Sequence, residues 1–295
     1  MAIATKTDIQ AQMAASRRRQ FVVSWLWKGL AILILLGFSV MILFPAVWMI
    51  STSLKTNAQL YSYPPTWIPT PAVWANYAKA WKHVDFTRYT LNTVGYALAA
   101  VVGALISNSL VAYGFARLRF PGRDIMFGLL LSTMMIPGMV TMIPQYILFS
   151  KLHWAGTYLP LIVPSFFGSA FYTFLLRQFY MGIPQEYSEA ARIDGANEFW
   201  IWYRVIVPLA KAPMATVALF AFETAWNDYV GPVLYLTKPE LYTVQVGLSM
   251  FRATSDINWQ YIMAASVVVL IPTVLLFSIF QRYFVEGAAV SGIKG

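Results

Sequence analysis

The sequence predicts an all-α integral membrane protein with six transmembrane helices and both termini cytoplasmic, and three observations carry that prediction. First, 59% of the 295 residues are apolar and only 11% are charged, where soluble domains carry about 25% charged residues. With a mean hydropathy of +0.59, the chain holds too few charges to solvate one or two water-soluble domains. Second, the apolar residues gather in runs long enough to cross about 30 Å of hydrocarbon as a helix, which takes about 20 residues. Third, the 21 Lys and Arg sit in the gaps between those runs.

Residues 29–54 form the first span. Arg17, Arg18, Arg19 and Lys28 precede it, as in a signal peptide, but a secretory apolar core is only about 7–15 residues long. The expectation is an uncleaved helix behind a cytoplasmic segment, 1–28. An outer loop follows at 55–88, where Pro64, Pro65, Pro69 and Pro71 alternate with Tyr61, Tyr63, Trp67 and Trp74 and favour extended structure over a long helix. Spans at 89–116, 125–150 and 152–176 come next, none with an Asp, Glu, Lys or Arg. Gly95, Ala99, Gly103 and Ser107 make a ridge of small residues on the second span, suited either to close approach of another helix or to ordinary packing. An inner loop, 177–211, leads to the fifth span, 212–237, the one with acids inside it, Glu223 and Asp228. A second outer loop (238–256), the sixth span (257–281) and a cytoplasmic tail (282–295) follow. With the N-terminus inside, fourteen of the 21 basic residues are cytoplasmic, the sense of the positive-inside rule.

Several functions are excluded. The net charge of +9 is spread between spans rather than gathered on one face, so no nucleic-acid partner is expected. The chain has no cysteine, which removes thiol catalysis and zinc-finger spacings. His83 and His153 are the two histidines, and no zinc-protease or nucleophile-elbow pattern surrounds them. No catalytic residue, bound cofactor or metal ligand is therefore expected. The chain also lacks a G-x-x-x-x-G-K-[ST] loop.

The inner loop is the informative segment. Pro184 suits a first helical turn, Glu186 and Glu189 suit the positive end of a helix dipole, and Gly195 suits a helix stop. A helix is expected over about residues 184–194. Tyr187, Ala190, Ala191 and Asp194 recur at helical spacing and share a face, edged by Glu189 and Arg192. That face fits a partner's groove or the protein's own bundle equally well.

Glu189-Ala190-Ala191, then Gly195, then Val205, Val207 and Pro208 resemble the EAA signature of permease subunits of ABC importers, here with Val where Ile and Leu are more usual. Asp194-Gly195-Ala196 and Pro213 extend the likeness. The C-terminal run 281–295 and Trp226-Asn227-Asp228-Tyr229 before Gly231-Pro232 are similar to the carbohydrate permeases of the MalG-like group. The resemblance implies a type I (MetI-like) permease fold with its core at 89–282, in a bacterial cytoplasmic (inner) membrane. It implies that residues 184–204 form a coupling helix pair in a cleft of a separate ATPase, through Glu189, Ala190, Ala191, Arg192, Asp194, Gly195 and Pro208, and that Lys294 and Gly295 reach the same partner. It also implies a second homologous permease, two ATPase subunits holding ATP and magnesium, and an external solute-binding protein that delivers a sugar or oligosaccharide, neutral or anionic. Glu223, Trp226, Asn227 and Asp228 are candidates either for lining the translocation path or for interhelical packing. Permeases for other solutes, a proton-coupled secondary transporter and a membrane-embedded enzyme are the rival readings.

Overall fold

A computed structural model describes residues 6–252 and 258–292, with side chains described for residues 21, 24–252 and 258–281. All regular structure among the described residues is helical. The chain divides into two compact units, Met1–Val73 and Trp74–Gly295.

The first unit is built on α1 (Lys6–Ser53), 48 residues without interruption. The expected boundary at residue 29 leaves no mark on the backbone, because residues 6–28 contain neither Gly nor Pro and are rich in good helix formers. At 1.5 Å per residue the helix far exceeds the roughly 30 Å of hydrocarbon; its apolar part is Ser24–Ser53. Beyond it the chain is clasped by aromatic and polar contacts. Lys55 lies over the Trp48 ring at 3.9 Å, Trp67 meets Trp48 edge-on at 5.3 Å, and Thr56 and Gln59 form a capping box. The outer loop is irregular from residue 61 to 73, as expected.

The second unit opens with α2 (Ala75–His83) and α3 (Phe86–Arg117). Asp85 caps α3 by accepting from the Arg88 amide at 3.2 Å, so the helix starts before the apolar run does. It continues with α4 (Arg123–Ser132), α5 (Gly138–Lys151), α6 (Ala170–Gly182), α7 (Glu186–Ile193), α8 (Glu198–Ile201), α9 (Lys211–Trp226), α10 (Val244–Met250) and α11 (Trp259–Gly292). The long α3 is the central post, packed against α6, α9 and a 3-10 turn at Val163–Phe167.

Among the described residues four helices are long and apolar enough to cross a membrane: Ser24–Ser53, Phe86–Arg117, Leu159–Gly182 and Trp259–Gln281. Two further pairs pass only as broken units. Arg123–Met135 and Gly138–Lys151 bend by 99° at Ile136-Pro137, and Glu198–Leu209 and Lys211–Trp226 bend by 86°. The stretch 125–150, expected as one helix, is thus two, because Pro137 supplies no amide to the ladder and forces residue 136 out of the helical region. The stretch 152–176 becomes Leu159–Gly182, displaced toward the inner loop: His153 and Gly156 turn left-handed and delay the helix start. The fifth stretch, 212–237, also departs from a continuous helix. It is helical to Trp226, breaks at 227–229, and resumes as a short helix, Val230–Tyr235.

The small-residue ridge is used, though not by a helix. A Cβ on Gly103 would stand 2.2 Å from Ser165 Oγ and 2.7 Å from the Phe166 ring, so only glycine lets the 3-10 turn lie against α3. Ser107 Oγ donates to Ser165 O at 2.9 Å.

Candidate functional site: an inner segment and a groove

The helix expected over about 184–194 is α7, which begins two residues late, at Glu186, and ends at Ile193. Pro184 and Gln185 precede α7, and Asp194 and Gly195 end it. Gly195 has φ of +83°, donates to Arg192 O at 3.0 Å, and is followed by Ala196, which donates to Ala191 O at 2.9 Å. This pair of bonds is a Schellman stop. The next helix is capped on the spot, with Asn197 Oδ1 accepting from the Trp200 amide at 2.8 Å.

The shared face divides on folding. Tyr187, Ala190 and Asp194 are exposed with Glu186 and Glu189, whereas Ala191 is 8% exposed and joins the protein's own core with Leu176, Tyr180 and Ile201. A helix of eight residues lying on a bundle must bury one side, and Ser188 and Ala191, three apart, are that side. The open surface instead continues through Ile193, 86% exposed, to Phe199 and Tyr203.

Arg192 turns inward along the segment. Its Nε and Nη2 donate to the Glu198 carboxylate at 2.7 and 3.3 Å, which holds the guanidinium pKa above its usual value. Tyr113 of α3 donates to the same carboxylate at 2.5 Å. Deeper, Trp202 Nε1 donates to Ser109 Oγ at 2.8 Å, and that hydroxyl meets Tyr180 at 2.8 Å. Arg117 Nη2 donates to Ile183 O at 2.7 Å. The inner segment is therefore fastened to α3 at three levels. Glu198 and Tyr113 did not stand out as coupling residues in the sequence, because nothing local announces a pair 85 residues apart.

Pro208 sits in the turn that leads to α9. A π-helical turn, Trp202–Ile206, precedes it, with the Val207 amide bonded to Trp202 O. The proline removes the next donor, the ladder loosens, and the chain swings at Ala210 into α9.

The other candidates lie on α9 and its end. Phe220, Glu223, Thr224 and Asn227 share one side of α9 and face Ser169, Phe171 and Tyr172 of α6 across a cavity of 720 Å³. A second cavity, of 170 Å³, shares Ser169, Tyr172 and Thr224 and extends the groove to Tyr96 and Asn108 of α3. Glu223 also lines a third, of 220 Å³, with Thr273 and Ser278 of α11. Trp226 is not on this surface. It is 2% exposed, stacks on Phe222 and donates to Val269 O at 3.1 Å, an anchor between α9 and α11. Asp228 stands in the break, accepting from the Gly231 amide at 3.0 Å and from Tyr96 at 3.1 Å. Gln245 of α10 donates to both Trp226 O and Asn227 Oδ1 at 3.3 Å. Tyr172 and Ser169 are the groove residues that spacing along one helix does not reveal, and Gln245 braces Asn227 from outside the lining. Lys294 and Gly295 lie outside the described residues. Among the described residues no group of three or more His, Cys, Asp or Glu is placed to hold a metal ion.

An apolar helical bundle with a fastened polar segment and a groove that holds a few polar side chains among its helices is the architecture of a membrane transport subunit. Residues 101–289 match the family described as "Binding-protein-dependent transport system inner membrane component", and the chain belongs to that family. It is similar to the arabinooligosaccharides transport system permease protein AraQ of Bacillus subtilis (strain 168), 31% identical over 260 residues covering 87% of this chain and 92% of that protein. It is also similar to the sn-glycerol-3-phosphate transport system permease protein UgpE of Yersinia pestis, 33% identical over 255 residues covering 84% and 90%. The sulfoquinovosyl glycerol transport system permease protein SmoH of Agrobacterium fabrum is 30% identical over 254 residues, covering 86% and 89%. A chain from the crystal structure of a bacterial ABC transporter involved in the import of the acidic polysaccharide alginate superposes with a TM-score of 0.78, covering 96% of this chain and 100% of that one, at 24% identity, a likeness of fold. The protein is a multi-pass inner-membrane permease of an ABC importer, and ATP hydrolysis belongs to a separate subunit.

Proposed function

We propose that this permease moves a sugar or oligosaccharide, received from an external solute-binding protein, through a path it shares with a second, different permease, driven by two ATPase subunits that hold ATP and magnesium. In this reading each bent pair is one span, the chain crosses six times, and both termini are cytoplasmic, in keeping with the positive-inside distribution. Relatives named for arabinooligosaccharides and sulfoquinovosyl glycerol support a solute rich in hydroxyls.

The observation that carries the reading is the α7–α8 turn. Its outer surface, Glu186, Tyr187, Glu189, Ala190, Ile193 and Asp194, is open, while its inner side is held to α3 by the Arg192–Glu198–Tyr113 and Trp202–Ser109 bonds. A load applied there by an ATPase passes to α3, which packs on the two helices that line the groove, as a rigid-body switch requires. Glu189 makes the charged contact to the ATPase, Gly195 supplies the turn, and Pro208 marks the bend between segment and span. The Lys294-Gly295 end reaches the same subunit.

The second permease has its own support. The bend at Ile136-Pro137 has no side-chain cap, and Met135, Ile136 and Met139 around it are 84%, 53% and 70% exposed. Irregular backbone at membrane depth is tolerated only against protein or a water-filled cavity, so this bend is where a partner permease packs.

The test is to purify the chain with its neighbouring subunits and measure ATPase activity in proteoliposomes. Stimulation by a saccharide with its binding protein, lost on Gly195→Val while the complex stays assembled, is the expected result. No response to any saccharide overturns the substrate class, and coupled transport by Gly195→Val overturns the role of the turn.

A further inference from the structure

Relatives of this chain are named for neutral and for anionic solutes alike, and the groove itself distinguishes the two. Among the side chains lining its three cavities the one charged group is Glu223. Among the residues whose side chains are described, no lysine, arginine or histidine lines any of them. The other nearby acid, Asp228, is held behind the smaller cavity by Tyr96 and has the same sign. The larger cavity, 720 Å³, lies within the roughly 300–1,000 Å³ of sites that hold small ligands.

The chemistry of the lining is specific. Phe171, Tyr172 and Phe220 offer ring surfaces on which the C–H face of a sugar ring packs. Glu223, Thr224 and Asn227 are exposed on the opposite side, and an ionised carboxylate only accepts hydrogen bonds, so it pairs with hydroxyls and has nothing to offer a second anion. A carboxylate, phosphate or sulfonate on the solute would enter a site with a like charge and no cation, a repulsion that protein surroundings screen less than bulk water does.

We infer that the groove takes a neutral, hydroxyl-rich saccharide, with Glu223 as the residue that rejects anionic ones. This rests on the groove being the translocation path. Each solute is therefore tested on the intact transporter, without the binding protein, so that selection by that protein plays no part.

Saturation-transfer NMR on the detergent-solubilised complex is run with a neutral trisaccharide and, separately, a uronate trisaccharide of equal length. The neutral sugar should give a signal about tenfold stronger on the wild-type complex, and Glu223→Gln should bring the two within about twofold, since the substitution removes the charge and keeps the shape. Glu223→Arg should favour the uronate. Size-exclusion chromatography of each variant complex checks assembly. Equal wild-type signals, or a ratio unmoved by Glu223→Gln in an assembled complex, overturn the charge filter. Absence of signal from both sugars, with saccharide-stimulated ATPase activity intact when the binding protein is added, removes the groove as the binding place and leaves the proposed function standing.

Discussion

Two interruptions of helix, one in the inner segment and one inside the fifth span, solve the same problem by opposite means. At Gly195 the closing bonds at the end of α7 are all local: Ala196 bonds Ala191 O, Gly195 bonds Arg192 O, and Asn197 caps the next helix. At 227–229 local bonds, such as those of the Asn227 amide to Glu223 O and the Gly231 amide to Asp228, are joined by partners from farther away. Tyr96 reaches Asp228 across 132 positions, and Gln245 takes the Trp226 carbonyl from 19 positions on. The break at Gly168 belongs to the second kind, since Asn108 Oδ1 accepts from the Ser169 amide at 2.6 Å over 61 positions. In the six-span reading proposed above, the difference follows from the solvent. A turn in water leaves unsatisfied groups to solvent at small cost, whereas at membrane depth each must be paired by protein. Interruptions within the bundle therefore draw on other helices to close the break itself, whereas the inner turn closes its own backbone and reaches α3 through the side chains that flank it.

That contrast sets the expected order of mutational effects. Asp228→Ala should do the most damage, because it strips partners from the Tyr96 hydroxyl and the Gly231 amide, a loss of about 1–3 kcal/mol per buried group left unpaired. Thermal unfolding of the purified complex would show a clear drop, partly recovered in Asp228→Asn, which keeps an acceptor for Gly231. A drop no larger than that of an exposed control substitution would break the comparison.

Gly195→Val comes next. A left-handed β-branched residue costs about 1–2 kcal/mol, and since a Cβ there meets nothing within 4 Å the penalty is backbone strain alone. Assembly should survive with the inner turn distorted, so transport falls far more than stability. An unfolding midpoint lowered as much as in Asp228→Ala would place Gly195 with the membrane breaks.

Glu198→Gln should be milder. The Arg192–Glu198 pair is about 40% exposed on both sides, and such pairs contribute about 0.2–1 kcal/mol. The difference from wild type should shrink at about 1 M salt, where the Debye length is about 3 Å. A salt-independent effect would mean that the Tyr113 bond, not the ion pair, fastens the segment.

Smallest in stability is Gln245→Ala. It removes two long bonds at the groove edge and should raise the saccharide concentration needed for half-maximal ATPase stimulation a few-fold while leaving the melting temperature nearly unchanged. A lower melting temperature with unaltered saccharide dependence would assign Gln245 to packing.

How far each region was legible follows the same division. The inner turn was anticipated almost residue by residue, since Pro184, Glu189 and Gly195 act through neighbours three to five positions away. Its division into faces was not: Ala191 looked like docking surface and is core, because which side of a short helix is buried depends on what lies beneath. In the fifth stretch the acids were visible as anomalies on different faces, but what each does was not. Glu223 opens on the groove while Asp228 braces a break and Trp226 anchors α11, a sorting made by Tyr96, Gln245 and Val269 from three other parts of the chain.

The sequence by itself determined that this protein lives in a membrane and where its inner segment turns, because hydropathy, capping and glycine stereochemistry act over one helix length or less. Tertiary structure alone decided how the breaks at Gly168 and 227–229 are closed, which side chains face the groove, and that the segment is fastened to α3 through Glu198. Those outcomes depend on hydrogen bonds between residues 61 to 132 positions apart. Such pairs are formed only once packed helices exclude both water and lipid from the groups they join.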